Sequence, residues 1–284
     1  MASKVVVTGA GGKTGSLVFK KLLERPGYEP VGLVRTEKSA KKLRKFLGAD
    51  LAPSAQIALG NVNDAAALDG VMAGADAVVL CSSATPKIRL LSLLLVLLNP
   101  LRKLLRLAPA RPSFTFGGGG IPEKVDWLGA KEQVDSAKRA CVKKFVFVSS
   151  MGGTQPDNFL NTIGRKKDGT GGDILLWKRK AEEYLIESGV PYTILHPGGL
   201  LDQPGGKREL LLGKDDAFLA TQDTRSVPRE DVAEVCVQAL SLDEATNRSL
   251  DLVSRKEGEG AVTTDFAELF RSVEGTCNYT AMPR

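Results

Sequence analysis

The stretch Val5-Val6-Val7-Thr8-Gly9-Ala10-Gly11-Gly12-Lys13-Thr14-Gly15 decides the fold of this 284-residue chain. A short apolar run leads directly into glycines at positions 9, 12 and 15, and an amphipathic pattern follows over residues 14–23. This order is typical of a strand, a dinucleotide-binding loop and a helix whose N-terminal amides face an anion. Gly9 permits the tight turn, Gly12 lets the backbone approach a pyrophosphate, and Gly15 lets the helix pack closely. The cofactor-binding loop is predicted to include Gly11, Lys13 and Thr14 as well.

A second kind of nucleotide loop shares part of this pattern. Gly12-Lys13-Thr14 matches the end of a phosphate-binding loop of the NTPase type. That motif requires glycine five residues before Gly12, where this chain has Val7 inside the apolar run. The loop would be too short to wrap a triphosphate, which favours the dinucleotide interpretation.

The residue after the second apolar run indicates which dinucleotide binds. NAD-specific sites place an acidic residue there to bind the ribose 2'-hydroxyl, whereas this chain has Arg35. A guanidinium at this place favours a 2'-phosphate, and Lys13 lies within plausible reach of the same group. NADP(H) is therefore the predicted cofactor, the alternative being that Arg35 ends a strand in solvent.

Apolar runs of strand length alternate with helical patterns along most of the chain. The runs cover residues 5–7, 31–34, 57–59, 77–80, 145–148 and 192–195, and the helical patterns 14–23, 39–46, 125–140 and 174–188. Such alternation predicts a doubly wound α/β sheet of parallel strands within one domain over residues 1–284. Beyond about residue 198 the alternation becomes less regular, with a predicted strand at 208–212 and predicted helices at 228–240 and 264–272. This part is interpreted as a small C-terminal substrate lobe.

Net charge, cysteine spacing and the N-terminal sequence limit which partners, metal sites and compartments are expected. The formal net charge of +6 comes from 39 Lys and Arg against 33 Asp and Glu, which are spread along the chain, so no nucleic-acid partner is predicted. The four cysteines show neither disulfide nor zinc spacing, and no metal site is expected. The strand at the N-terminus leaves no room for a targeting peptide, which predicts the cytoplasm, or an organelle for a mature imported form.

One segment breaks the alternation. Within a predicted insertion at residues 86–121, a leucine-rich stretch (IRLLSLLLVLLNPLRKLLRL) runs from Ile88 to Leu107. Its charge-free part is far shorter than the roughly 20 residues that span a bilayer. Two interpretations stay open: a helix pair that contacts a membrane surface or a protein partner, or a local insertion that covers the cleft.

Several separated motifs resemble the atypical short-chain dehydrogenase/reductase family, in particular its NAD(P)-binding subgroup of plants and photosynthetic organisms. They are residues 8–15, 60–64 (GNVND), 126–127 (DW), 146–153 (VFVSSMGG), 177–182 (WKRKAE), 197–202 (PGGLLD) and 227–233 (VPREDVA). The resemblance covers nearly the whole chain except about residues 88–120. It implies a Rossmann-type NAD(P)-binding fold, and a plastid stroma location is compatible with it.

The resemblance also implies roles for single residues. Asn61 and Val62 are expected at the adenine, Ser82 and Ser83 at the cofactor ribose, and Pro197 and Gly198 at the nicotinamide. Ser150 takes the place of the residue that polarises the substrate carbonyl, the alternative being a serine that merely ends a buried strand.

The chain departs from that family at the catalytic acid. Catalytic members carry a Tyr four residues ahead of a Lys; here Lys178 fits the Lys position, but Ile174 stands at the Tyr position and cannot exchange a proton. Tyr184 follows Lys180 in the reverse order and does not restore the pattern. Lys178 either holds the cofactor ribose or is a lysine on a helix surface.

His196, the single histidine, is a candidate replacement acid beside the expected nicotinamide, with a satisfied structural histidine as the alternative. Asp202 and Tyr192 are weaker candidates. The leading hypothesis is a reductase that transfers hydride to an unidentified small substrate without the tyrosine. A non-catalytic NADP(H) sensor or scaffold is the alternative, and an enzyme that isomerises or cleaves its substrate around a structural NADP is a third.

Overall fold

A computed structural model describes residues 2–104, 106–109, 113–117, 120–166, 168, 170–221 and 225–280. Its centre is an eight-stranded sheet in the order β10-β12-β8-β7-β4-β1-β2-β3. The strands of this sheet are β1 (Ser3–Thr8), β2 (Tyr28–Val34), β3 (Gln56–Leu59), β4 (Ala77–Leu80), β7 (Lys144–Val148), β8 (Tyr192–Pro197), β10 (Leu210–Gly213) and β12 (Arg248–Ser254). Seven of these strands pair in parallel, and β10 pairs antiparallel with β12 at the edge.

Helices cover both faces of the sheet. The chain forms α1 (Lys13–Leu23), α2 (Glu37–Leu51), α3 (Ala65–Met72), α4 (Leu90–Leu97), α5 (Asn99–Leu104), α6 (Gly129–Arg139), α7 (Phe159–Thr162), α8 (Ile174–Ser188), α9 (Phe218–Thr221), α10 (Arg229–Ala239) and α11 (Phe266–Arg271). Val5 and Val7 belong to the core on the α1 and α10 side, whereas Val6 belongs to the core on the α6 and α8 side. A strand that is buried on both faces of a sheet consists of consecutive apolar residues. This pattern is why these strands could be located from the sequence.

The parallel strands bring their carboxyl ends together at one edge of the sheet, here named the carboxyl edge. The order reverses between β1 and β4, since β2 and β3 continue on one side while β7 and β8 continue on the other. Ligands of open α/β sheets bind outside the carboxyl ends at such a switch point. The Rossmann-type doubly wound fold predicted from the sequence is therefore confirmed.

Three elements differ from the predicted pattern. Strand β12 escaped prediction because polar Ser249 and Asp251 interrupt its apolar run, although both are buried. The helix predicted over residues 125–140 begins as a π-helical segment, Glu123–Leu128, before α6. A small parallel pair, β9 (Gly199–Leu201) with β11 (Ser226–Pro228), follows β8 and was also not predicted.

The region after residue 198 is tied closely to the rest of the fold. It contributes β10 and β12 to the main sheet, and α10 packs against α1. The C-terminal region therefore combines the β9 and β11 pair with elements that extend the central core. A 3-10 turn, Asp243–Ala245, leads into β12.

The predicted insertion forms its own small unit of structure. Strands β5 (Lys87–Ile88) and β6 (Phe114–Thr115) pair antiparallel at its base, and α4 and α5 lie between them. Phe116 packs beside Gly164, and the Arg35 guanidinium lies within 3.9 Å of where a Cβ on Gly120 would stand. Among the described residues, no helix combines the length and apolarity needed to cross a bilayer.

Candidate functional site

The glycine loop follows β1 and faces the loop after β4 across the switch point. Gly9 has φ +67°, and a Cβ there would lie 2.6 Å from the backbone nitrogen of Ser82. A Cβ on Gly15 would lie 2.3 Å from the Gly9 carbonyl oxygen, so the first turn of α1 can pack against the loop only with glycine. The two glycines thus hold the loop and the helix start in place.

The start of α1 fits an anionic ligand. Its N-cap residue is Gly12, which has no side chain to bond the first amides of the helix. The amides at a helix N-terminus lack intrahelical acceptors and carry the positive end of the helix dipole. A Cβ on Gly12 would meet only the Gly9 carbonyl oxygen, at 3.1 Å, so the space above this residue is open to a ligand.

Arg35 and Lys13, the two positively charged residues predicted to bind the cofactor, have different surroundings. Arg35 is exposed at the end of β2, beside the insertion at Gly120. Lys13 is exposed on the glycine loop, and its ammonium pairs with the Asp202 carboxylate, which also accepts from Arg229. Because Lys13 and Asp202 are 67% and 59% exposed, solvent weakens their pairing, and a ligand phosphate can replace the carboxylate.

A cavity of about 440 Å³ opens beside the glycine loop. Gly11, Gly12 and Lys13 line one side of it, α2 contributes Lys42 and Phe46, and the segment after β9 contributes Asp202. Cofactor and ligand sites commonly have this order of volume. Lys13 lines this cavity where the glycine loop and the C-terminal region meet.

Lys178 is a buried residue, which rules out the interpretation as a surface lysine. Its ammonium lies 2.9 Å from Oδ1 of Asp126, and the two side chains are 7% and 0% exposed. The Asp126 carboxylate also accepts from the Ser83 hydroxyl at 2.7 Å and from the Ala84 backbone amide at 3.1 Å. Asp126 thereby joins Lys178 on α8 to the loop after β4 at the carboxyl edge.

The other predicted site residues also follow strands at the carboxyl edge. Asn61 and Val62 lie in the loop after β3, and Ser150 lies half-buried after β7, where its hydroxyl donates to the Met151 carbonyl at 3.1 Å. Pro197 ends β8, and the following Gly198 lies against Arg225, since a Cβ would be 2.4 Å from that carbonyl oxygen. The topology therefore brings all these segments to one edge.

His196 lies inside a buried polar network. Its Nε2 is 3.0 Å from Oε2 of Glu182 and its Nδ1 is 3.2 Å from Oδ1 of Asp251, with 2% of the residue exposed. Glu182 also binds Arg179, and it accepts from Ser149 and from Tyr279. Both ring nitrogens are engaged by carboxylates, which favours the structural interpretation of His196 over a role as the proton donor. Tyr192 is also buried, and Tyr184 donates to Asp135 on α6.

The network shifts the pKa of its members in opposite directions. Burial alone would lower the pKa of His196, but Glu182 and Asp251 hold it well above its ordinary value. Burial alone would raise the pKa of Glu182, but His196 and Arg179 lower it to about 2. The imidazolium and the carboxylate therefore stabilise each other in the folded state.

The raised pKa of His196 predicts a pH-dependent contribution to stability. This stabilising contribution is fully present below pH 6.5, which is about the pKa of histidine in the unfolded chain. It is lost as the pH rises through the pKa of His196 in the folded chain. The Tm advantage of the wild type over His196→Gln should therefore be largest near pH 6 and decrease towards pH 9, by about 2–3 °C per pH unit of that window. Differential scanning fluorimetry of both chains measures it.

Comparing the wild type with His196→Gln cancels the pH dependence of stability that comes from Lys144. Burial lowers the pKa of Lys144 to about 8, which makes stability increase with pH in the same range, but equally in both chains. A difference in Tm that stays constant from pH 6 to pH 9 would show that folded His196 is not protonated.

Several residues of the site were not identified from the sequence as functional. They are Asp126, Ser149, Arg179, Glu182 and Asp251, all buried. For the residues on α8, the sequence pattern could have indicated burial. Lys178, Arg179 and Glu182 lie on the same side of the helix as Leu175 and Leu185, which are buried. Charged residues on the apolar stripe of a helix are expected to be buried and paired.

Comparisons with known proteins agree with this geometry. A family model described as NAD(P)H-binding matches residues 9–243. A chloroplastic protein of Arabidopsis thaliana is 47% identical over 95% of this chain and 75% of its own. Sanguinarine reductase of Eschscholzia californica is 44% identical over 95% of each chain. The solved structure of an oxidoreductase from Lactococcus lactis matches with TM-score 0.61 and 19% identity, over 95% of this chain and 96% of that one.

Proposed function

This chain belongs to the NAD(P)H-binding family, and we propose that it is an NADP(H)-dependent reductase that transfers hydride to a small organic acceptor without a catalytic tyrosine. The observation that carries this proposal is the glycine loop, with its uncapped helix start, on the same carboxyl edge as the buried Lys178 and Asp126 pair. The 44% identity to sanguinarine reductase over nearly the full length supports reduction as the type of reaction.

The choice of NADP(H) over NAD(H) rests on charge. Arg35 stands where NAD-specific sites have a carboxylate, and it is exposed at the end of β2. Lys13 can contribute a second cation, since its pairing with Asp202 is exposed to solvent and exchangeable. A ribose 2'-phosphate offers both side chains a partner that NAD lacks.

When bound, the nicotinamide would supply the hydride, while the residues of this chain position the two reactants. The Lys178 ammonium is held by Asp126 and can donate its remaining protons to ribose hydroxyls. The Ser150 hydroxyl, half-buried after β7, can donate to the acceptor. Ile174, at the tyrosine position, supplies no proton. The arrangement therefore suits acceptors whose hydride adduct needs no proton from the enzyme, such as an iminium carbon or a quinone protonated by solvent.

Calorimetric titration of NADPH and NADH into the wild type and Arg35→Ala tests the cofactor. We expect the wild type to prefer NADPH and Arg35→Ala to weaken NADPH binding about 10- to 100-fold, because one or two charge-assisted hydrogen bonds are lost. NADH affinity should change little. Arg44→Ala, which removes an exposed arginine on α2, is the matched control. Equal affinity of the wild type for both cofactors would overturn the assignment to NADP(H).

Turnover separates the reductase from the alternative of a non-catalytic NADP(H) sensor, which the exposed leucines of the insertion favour. Oxidation of NADPH is followed at its nicotinamide absorbance with quinones, iminium compounds, aldehydes and ketones. Reduction of at least one acceptor class supports the enzyme, with iminium compounds and quinones expected to exceed aldehydes. Stoichiometric NADPH binding without oxidation by any acceptor would support the sensor.

The compartment is part of the same proposal. The relative in Arabidopsis thaliana that covers nearly all of this chain is named chloroplastic. We therefore extend the proposal to a plastid location. Immunoblotting of fractionated leaf chloroplasts and cytosol with an antibody against this chain tests it, and a signal confined to the cytosol would overturn it.

A further inference from the structure

Helix α4 exposes most of its leucines and buries Ser92, its single polar residue. Leu90, Leu93, Leu94 and Leu97 have the spacing of one helical stripe, here named the leucine face, and are 79%, 37%, 57% and 74% exposed. The opposite side of the helix carries Ser92, which is buried. This is the reverse of the arrangement expected for a helix that packs on a protein core.

Hydrogen bonds hold α4 in this orientation. The Ser92 hydroxyl donates to the Arg89 carbonyl at 2.6 Å and accepts from the Ser113 backbone amide at 2.9 Å. The bond from Ser113 ties the helix to the residue directly before β6. Rotating the leucine face inward would break this bond and leave the Ser113 amide without its acceptor.

The charge around the leucine face indicates what covers it. From Ala77 to Pro122 the sequence contains no Asp or Glu, while Lys87, Arg89, Arg102, Lys103, Arg106 and Arg111 supply six positive charges. A second copy of the chain would bring the same charges into contact, and the chain already has a formal net charge of +6. A surface that is both apolar and anionic complements this segment on both counts.

We propose that the leucine face docks on the surface of a bilayer that contains anionic phospholipid. The leucines enter the boundary between headgroups and acyl chains, and the flanking cations lie at the headgroup phosphates, as in helices that lie in a membrane interface. Helix α4 is too short to span a bilayer, so the contact is peripheral. The end of the insertion lies beside Arg35, since the Arg35 guanidinium is 3.9 Å from where a Cβ on Gly120 would stand.

Vesicle flotation of the full chain tests the proposal. Vesicles of phosphatidylcholine with phosphatidylglycerol should bind the wild type, and vesicles of phosphatidylcholine alone should bind it much less. The double variant Leu94→Glu/Leu97→Glu should lower partitioning on the order of 100-fold, because two leucines no longer leave water. Lys103→Glu/Arg106→Glu should lower it by at least about 30-fold at low salt, because two cations are lost and two anions are added.

Matched controls make the result decisive. Lys45→Glu/Lys138→Glu makes the same change of charge at exposed positions on α2 and α6 and should leave vesicle binding unchanged. The thermal melting of every variant should match the wild type, since the substituted residues are exposed. Absence of binding to either vesicle, or binding that survives Leu94→Glu/Leu97→Glu, would overturn the proposal. A dimer in light scattering that this variant dissociates, without vesicle binding, would assign the leucine face to a second copy.

Discussion

Gly12→Val is expected to lower the affinity for NADPH by at least about 100-fold while the chain still folds. The backbone of Gly12, at φ −81° and ψ 168°, is open to any residue, and a Cβ there meets only the Gly9 carbonyl oxygen. The added methyl groups occupy the space where a pyrophosphate approaches the first amides of α1. Loss of two charge-assisted hydrogen bonds, at about 1.5 kcal/mol each, accounts for this factor. Calorimetric titration and thermal melting of the same sample measure binding and folding together.

Two other glycines serve as comparisons for this prediction. Gly70→Val places the same side chain in open space on α3 and should change neither binding nor stability by much. Gly15→Val should lower the Tm strongly, because its Cβ would lie 2.3 Å from the Gly9 carbonyl oxygen. Unchanged NADPH affinity in folded Gly12→Val would show that the pyrophosphate does not approach this loop.

Lys178→Met is expected to destabilise the fold by about 3–5 kcal/mol and to lower the Tm by about 5–10 °C. The methionine keeps most of the volume but leaves the Asp126 carboxylate, which is 0% exposed, without its cation. The Ser83 hydroxyl and the Ala84 amide remain as partners and keep the loss within this range. Chemical denaturation followed by circular dichroism gives the free energy of unfolding.

The same helix offers the control for Lys178. Lys180→Met makes the identical substitution at an exposed position, where the ammonium lies 4.6 Å from the Trp127 ring centroid, and should cost about 1 kcal/mol or less. Combining Asp126→Asn with Lys178→Met should restore much of the stability, because neither buried charge remains. Equal destabilisation by Lys178→Met and Lys180→Met would contradict the buried ion pair.

The positions of the central strands and of the glycine loop could be predicted from the sequence because both depend on local pattern. Val5, Val6 and Val7 are buried on both faces of the sheet and therefore form an uninterrupted apolar run. Gly15 is required by a local contact, since its Cβ would lie 2.3 Å from the Gly9 carbonyl oxygen, and Gly9 by the positive φ of its turn, although the backbone that a Cβ on Gly9 would meet belongs to the distant Ser82. Strand β12 did not follow this rule, since Asp251 lies in its interior and is neutralised by a residue from another strand.

The neighbours of the site residues required the tertiary structure. Lys178 and Asp126 are 52 positions apart along the chain and meet because α8 packs beside the π-helical segment. His196 is surrounded by Glu182 from α8, Asp251 from β12 and Cys277, which follows α11. Local pattern contains no information on which distant charges pair, and so the sequence left both the lysine and the histidine with two interpretations.

By itself the sequence determined the Rossmann-type fold, predicted the dinucleotide loop and placed Ile174 where the resembled family has a tyrosine, because each depends on residues close together in the chain. The tertiary structure alone decided that Lys178 is buried and paired, that His196 is enclosed by carboxylates, and that the leucine face points to solvent. Burial is a property of packed elements, and it sets the strength of a charge and the accessibility of an apolar side chain.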